Sequence, residues 1–410
     1  MNIKLRMLRV ALVVGLTMAA IACGGGGSGR AAAPSPPAPA SNVATVIVDG
    51  GPAGLMEPSI NTAFTSVTLC VPGSTSQCTV IDHVQVDTAS FGLRILASAL
   101  PTGFSLPLQP ATGTTSSTLV ECVVFGDGYS WGPVALADFT IAGESVSSMP
   151  VQIIGDSRFL PASTDCSSQS TGGEEDTVAE FGANGIIGIG MISVDCPGCA
   201  QSAVMPPVYF ACTTATACNS TIVPLANQVP NPISKFPVDN NGSFLTFPTV
   251  DQTNGAATVT GSLIFGVDTQ SNNASGSQTV LYVNPNSLEL TMVYKGATLN
   301  DSFIDSGTNG IYFSDSSLAT CTDATTFYCV TQMQPLGIQL HAGGDFMTNF
   351  NMVSADTLQN NIAAFPGLAG TLPPSLDGFD WGLSFFYGRR VATVISGETT
   401  SVGTGPYIAF

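Results

Sequence analysis

The chain has 410 residues, with 10 Lys and Arg against 28 Asp and Glu, a formal net charge of −18. Only 9% of its residues are charged, where roughly a quarter is usual for a soluble domain. The acidic excess repels nucleic acid and leaves no basic patch to bind it. The length is enough for one large β domain or two lobes.

Taken from the N-terminus, Lys4, Arg6 and Arg9 form a basic start, followed by the apolar run VALVVGLTMAAIA and then Cys23. This pattern predicts a secretory signal over residues 1–22, with AIAC as a lipobox-like site whose cleavage exposes Cys23 for lipid attachment. An ordinary cleaved signal is the alternative, since the run is too short to be a good bilayer-spanning helix. Nothing acidic follows Cys23 immediately, which by bacterial sorting habits directs a lipoprotein to the outer rather than the inner membrane. Without the signal, 7 basic residues face 28 acidic ones, a formal −21. Residues 23–43 then read as a Gly/Ser and Pro/Ala tether, GGGGSGRAAAPSPPAPAS, too poor in large apolar groups to fold.

The body reads as all-β. ATVIVDG, FTSVTLCV, TVIDHVQVDT, STLVECVVFG, PVALADFTIAG and SLIFGV are short β-branched runs between Gly, Pro, Ser and Asn turns. SADTLQNNIAAF is one of the few helical candidates. Setting Cys23 aside, the 11 cysteines leave ten, which in an oxidising compartment means up to five disulfides. Spacing suggests Cys70–Cys78, Cys196–Cys199, Cys212–Cys218 and Cys321–Cys329, leaving Cys122 for Cys166, although sequence does not fix connectivity. Cys196-Pro-Gly-Cys199 also fits a thiol redox pattern, and with Cys212 and Cys218 a loose zinc set. A structural disulfide is favoured over both, because no βαβ context surrounds it and the compartment oxidises thiols. His83, four residues before Asp87, reads as a polar strand residue rather than a member of a triad.

An internal echo carries more information. VQVDTASFGLRI, residues 84–95, is matched by SFIDSGTNGIYF, residues 302–313. Each copy sets an aspartate, Asp87 or Asp305, before small and hydroxyl residues and a glycine five places on. Each half later supplies a glycine-bearing apolar segment, NGIIGIG from Asn184 and WGLSFFYG from Trp381. The trace is that of two lobes from one ancestral unit, residues 44–270 and 271–410. A strand ending in Asp and turning through small residues leaves its carboxylate at the turn. Thr88 and Ser306 then offer hydroxyls to the facing lobe, and Ser90 and Thr308 offer hydroxyls back to the carboxylates. Two such carboxyls brought together share one proton and titrate as a unit. That places an acid and a base side by side at one pH.

On these residues the chain resembles the pepsin-like aspartic peptidases, within a bacterial lipoprotein family of uncharacterised function. VDTAS and IDSGT resemble the family's two Asp-Thr-Gly motifs. FGDGYSWGPVALADFTIAG, from Phe125, is similar to its flap hairpin, and NGIIGIG and WGLSFFYGRRVATVI to the apolar segments behind the aspartates. GSLIFGVD, from Gly261, and the terminal GTGPYIAF complete a set of blocks in the family's order. The resemblance implies a bilobal β fold with a peptide-binding cleft and neither metal nor cofactor. Asp87 and Asp305 would activate water, Thr88 and Ser306 would lock the lobes, and Ser90 and Thr308 would orient the carboxylates. Gly307 would let backbone pass close to them, and a hairpin bearing Phe125, Gly126, Tyr129 and Trp131 would close over substrate.

Three positions depart from the family. Ala89 stands where the first motif has glycine, Phe125 where the flap has tyrosine, and Arg94 where tryptophan is usual. The expectation is a monomeric, lipid-anchored endopeptidase acting on extended polypeptide. The alternative is a catalytically inactive scaffold of the same fold that binds peptide or protein at the envelope.

Overall fold

The computed structural model describes residues 42–410, apart from 323, 342–344, 360 and 373–375. The expected signal peptide, Cys23 and the tether up to residue 41 lie outside the described residues. Within these the protein is all-β, with barrel-like sheets, and its α-helices are single turns of four residues, Thr164–Ser167 and Val178–Phe181. No described helix is long and apolar enough to cross a membrane. The helical reading of SADTLQNNIAAF is corrected: among the described residues of this segment only a 3₁₀ turn forms, at Ala355–Thr357. There the Ala355 N–H leaves the local chain for the Tyr328 carbonyl, and Ser, Asp and Thr side chains favour turns over helix interiors.

The strand leading to the first aspartate shows how patterning becomes position. Over Cys78–Asp87 the outer end alternates between exposed and covered residues, while Val84, Gln85, Val86 and Asp87 are all buried. A strand covered on both faces buries consecutive side chains. Cys78–Asp87 runs parallel to Gly185–Ile189, with Val86 opposite Ile187 and Asp87 opposite Gly188. Gly185–Ile189 pairs antiparallel with Phe91–Leu96, the strand that follows the acid. Phe91–Leu96 lies parallel to the end of Glu144–Ile154.

The second half repeats this arrangement. Ala297–Ile304 ends one residue before Asp305 and runs parallel to Phe379–Trp381, with Ile304 opposite Trp381. Phe379–Trp381 pairs antiparallel with Ile311–Phe313, which lies parallel to Ala369–Gly370. The glycine of each later apolar segment has a steric cause. A Cβ on Gly188 would sit 2.4 Å from the Phe91 nitrogen, and one on Gly382 would sit 2.3 Å from the Thr308 carbonyl oxygen. Only a residue without a side chain lets each segment press against the turn after its acid.

The halves are joined by sheet as well as by packing. Gly242–Thr246 pairs with Arg390–Val394, so this ladder runs across the boundary expected at 270/271. One apolar core holds Val86 and Ile187 of the first half with Ile304, Phe313 and Trp381 of the second.

Five disulfides pair Cys70–Cys78, Cys122–Cys166, Cys196–Cys199, Cys212–Cys218 and Cys321–Cys329. The thiols of the redox and zinc alternatives are therefore consumed. Cys122–Cys166 closes the longest loop, a separation of 44 residues, which is worth about 4 kcal/mol by chain entropy.

Candidate active site

Asp87 and Asp305 sit at the ends of their strands, each 4% exposed, and their carboxyl groups are in hydrogen-bond contact. Each is held from its own turn. Asp87 Oδ1 accepts the N–H groups of Ala89 at 2.8 Å and Ser90 at 3.2 Å. Asp305 Oδ1 accepts the Gly307 N–H at 2.7 Å, and its Oδ2 accepts the Thr308 hydroxyl at 2.9 Å.

The residue after each acid reaches across to the other half. The Thr88 N–H donates to Ser306 Oγ, the Ser306 N–H donates to Thr88 Oγ1, and Ser306 Oγ donates to the Val86 carbonyl at 2.8 Å. Gly307 lies directly against Asp87: a Cβ there would be 2.7 Å from the Asp87 Cγ. Burial pushes Asp305 well above the usual carboxylate range, and the charges of Asp87 and Asp380 push it further. Such an arrangement disfavours two negative charges and favours one shared proton.

Two expected placements are corrected. The Ser90 hydroxyl does not reach its carboxylate; it is buried without a hydrogen-bond partner, and the turn holds Asp87 through the backbone N–H groups of Ala89 and Ser90 instead. Tyr129 and Trp131 do not hang over a cleft. They belong to an interior cluster with Phe159 and Phe210, where Trp131 is wholly buried and donates its indole N–H to the Phe159 carbonyl.

The hairpin itself is present, as Thr118–Val124 and Gly128–Ile141. At its turn Gly126 is exposed, and Phe125 packs inward against Phe181, with ring centroids 5.8 Å apart. Asp127 of that turn comes close enough to the second half to act on Tyr312. Burial, then the charges of Asp380 and Asp127, hold that phenol well above its ordinary range.

The remaining departures have local explanations. Ala89 does not adopt a positive φ, so its methyl brings no backbone strain. Arg94 is buried and bonds Glu121 of the hairpin at 2.6 Å and Asp195 at 3.2 Å. Tyr209 donates to the same Asp195 at 2.7 Å. Arg94 thus ties the strand after the first acid to the hairpin. One guanidinium faces two carboxyls there, and burial followed by Glu121 raises Asp195 well above its ordinary value. His83 lies away from the dyad, in contact with Asp49 and Asp82.

Three site residues have no motif in the sequence. Gln85 donates to the Gly307 carbonyl at 2.9 Å. Asn61 reaches from the first half to the carbonyls of Asn309 and Phe365, both at 2.8 Å. Asp380 is a third buried carboxyl, 2.9 Å from the Thr308 hydroxyl. Its signal was an acid inside the apolar stretch GFDWGLSFF, just before the segment compared above.

The fold and site define an all-β protein in which two duplicated strand frames present a pair of buried aspartates to each other. Residues 38–410 match the family described as Protein of unknown function (DUF3443), and the chain belongs to that family. No curated protein matches it.

Proposed function

We propose that the protein is a pepsin-like aspartic endopeptidase, with two lobes built on the repeated frames and a cleft between them for extended polypeptide. The observation that carries this reading is the contact between the Asp87 and Asp305 carboxyls, held by reciprocal bonds between Thr88 and Ser306. With one proton shared, the ionised carboxylate takes a proton from water while the protonated partner gives its own to the carbonyl oxygen of the scissile bond. Water oxygen bonds to the carbonyl carbon, giving a tetrahedral diol and no covalent enzyme intermediate. The diol then returns a proton through the dyad to the amide nitrogen, the C–N bond breaks, and acid and amine leave. No metal or cofactor enters the scheme.

The second reading, an inactive scaffold that binds peptide or protein, draws on Ala89 and on Phe125, which packs on Phe181 and brings no hydroxyl to the hairpin turn. Calorimetry with a statine-type peptide, beside hydrolysis of a denatured protein from acidic to neutral pH, separates the two. Binding with hydrolysis supports the peptidase, and binding without it supports the scaffold. Neither binding nor hydrolysis contradicts both.

Export and lipid attachment at Cys23, with the tether holding the body off the outer membrane, are proposed from the basic-apolar start and AIAC. The five disulfides suit that compartment. Cys23→Ser should release the protein from the membrane fraction; retention of the variant there would contradict the anchor.

A further inference from the structure

One hydroxyl in the site makes two contacts that need two protons. Thr308 Oγ1 lies 2.9 Å from Asp305 Oδ2 and 2.9 Å from Asp380 Oδ2. A threonine hydroxyl has a single proton and donates to one oxygen only. With that proton on Asp305, the second contact is a hydrogen bond only when Asp380 supplies the proton.

The surroundings of Asp380 point the same way. The residue is 4% exposed, and its Oδ1 is buried without a hydrogen-bond partner. Its parallel neighbour contributes Phe303 opposite it, and its antiparallel neighbour contributes Tyr312, whose hydroxyl donates to Asn309 instead. The titratable groups acting with it are Asp305, Asp87 and the Tyr312 phenol, and no cation is among them. An ionised carboxylate with a bare oxygen, beside two other acids and without a cation, is the costly state.

Asp380 is also no inheritance of the repeat. Because Val86 faces Ile187 as Ile304 faces Trp381, the first half has Ile186 at the corresponding place.

We infer that Asp380 is a third carboxyl of the site, a positioning residue that when protonated donates to Thr308 and so holds the Thr308 proton on Asp305, and that when ionised draws it away. This deepens the dyad reading and rests on it. In the working state the bonds run from Asp380 O–H to Thr308, and from Thr308 O–H to Asp305. When Asp380 ionises, its proton passes to solvent and Thr308 lies between two acceptors. The new negative charge then raises the proton affinity of Asp305 further. Burial holds Asp380 up at about 8, so the reversal falls at neutral to mildly alkaline pH.

The test is carbon-13 NMR of the mature protein labelled at aspartate carboxyls, titrated from acidic to mildly alkaline pH. Asp380→Asn assigns the resonance, and Asp380→Glu assigns it if the first variant does not fold, since glutamate carries no label. The expected result is an Asp380 signal that stays protonated through slightly acidic pH and titrates above neutrality. Its midpoint should shift in Thr308→Val. A resonance already that of a carboxylate at slightly acidic pH overturns the inference.

The second measurement is kcat/KM against pH, each profile scaled to its own maximum. In Asp380→Asn the alkaline limb should move upward by about one pH unit, and an unmoved limb overturns the inference. If the NMR titration is as expected but the wild type hydrolyses no polypeptide, the peptidase reading fails and the hydrogen-bond relay stands. If hydrolysis occurs while Asp380 is ionised at acidic pH, the relay fails and the peptidase reading stands.

Discussion

Thr88 and Ser306 lie 218 residues apart and bond to each other in both directions, the Thr88 N–H to Ser306 Oγ at 3.1 Å and the Ser306 N–H to Thr88 Oγ1 at 3.0 Å. Since each directly follows an aspartate, this exchange sets the spacing of the carboxyls. Ser306→Ala should strip the Thr88 N–H of its acceptor and the Val86 carbonyl of a donor. A cost of about 1–3 kcal/mol is expected, read in urea unfolding, together with a fall in kcat. Thr88→Ala should act similarly. The double variant should cost less than the sum, because both remove one shared lock.

Gly307→Ala tests the closeness of the second turn to the first acid. The added methyl would meet the Asp87 carboxyl, which cannot swing aside freely because Ala89 and Ser90 hold its Oδ1. Loss of about 10²-fold or more in kcat/KM is expected, the size of effect that follows when a catalytic group is displaced by about 1 Å. The circular dichroism spectrum should be unchanged.

Asn61 is a clasp between the halves. Its Oδ1 accepts the Phe365 N–H at 2.7 Å and the Tyr387 hydroxyl at 2.9 Å, and it holds a positive φ of 50°. Asparagine tolerates that conformation better than alanine. Asn61→Ala would leave two buried donors unsatisfied, at about 1–3 kcal/mol for each, and thermal unfolding should fall accordingly.

Stability should be greatest in mild acid. Asp380, pushed up to about 8 by burial, and Glu144 and Glu174, each raised to about 7 first by burial, bind protons more tightly folded than unfolded. A group raised in this way contributes stability that is full below its unfolded value and is lost as pH rises through its folded value. The slope is about 1.4 kcal/mol per pH unit for each proton. Asp268 behaves oppositely. Its hydrogen bonds from Ser275 and Ser401 outweigh burial and bring it down to about 2, so its contribution is lost as pH falls below the ordinary carboxylate range. Denaturant midpoints should therefore peak at about pH 4–5 and decline toward pH 8, with a shallower decline in Asp380→Asn. A maximum at alkaline pH would contradict this assignment.

Much of the scaffold was legible because it is written in local chemistry. β-branched runs between turn residues gave the strands, and four close cysteine spacings gave four of the bridges that form, leaving Cys122 and Cys166 for the fifth. The duplicated acid frames and their later glycines were visible because Gly188 and Gly382 answer the same steric demand. What escaped the sequence depends on direction and on distant contacts. Tyr129 and Trp131 lie where the strand is buried on both faces, from Gly128 to Ala135, so alternation along the sequence does not tell what each side meets. Ser90 holds its aspartate through its backbone N–H and not its hydroxyl, a choice that no motif displays. Gln85, Asn61 and Asp380 gain their places from partners more than 70 residues away, such as Gly307, Phe365 and Thr308. Local spacing carries no trace of those pairings.

The pairing of Asp87 with Asp305 is tested most directly by mass spectrometry of a denatured protein incubated in mild acid with the wild type, with Asp87→Asn and with Asp305→Asn. Cleavage by the wild type should fall by about 10²–10⁴-fold in each variant, while both keep the wild-type unfolding transition. Cleavage that survives in either folded variant would contradict a shared-proton dyad.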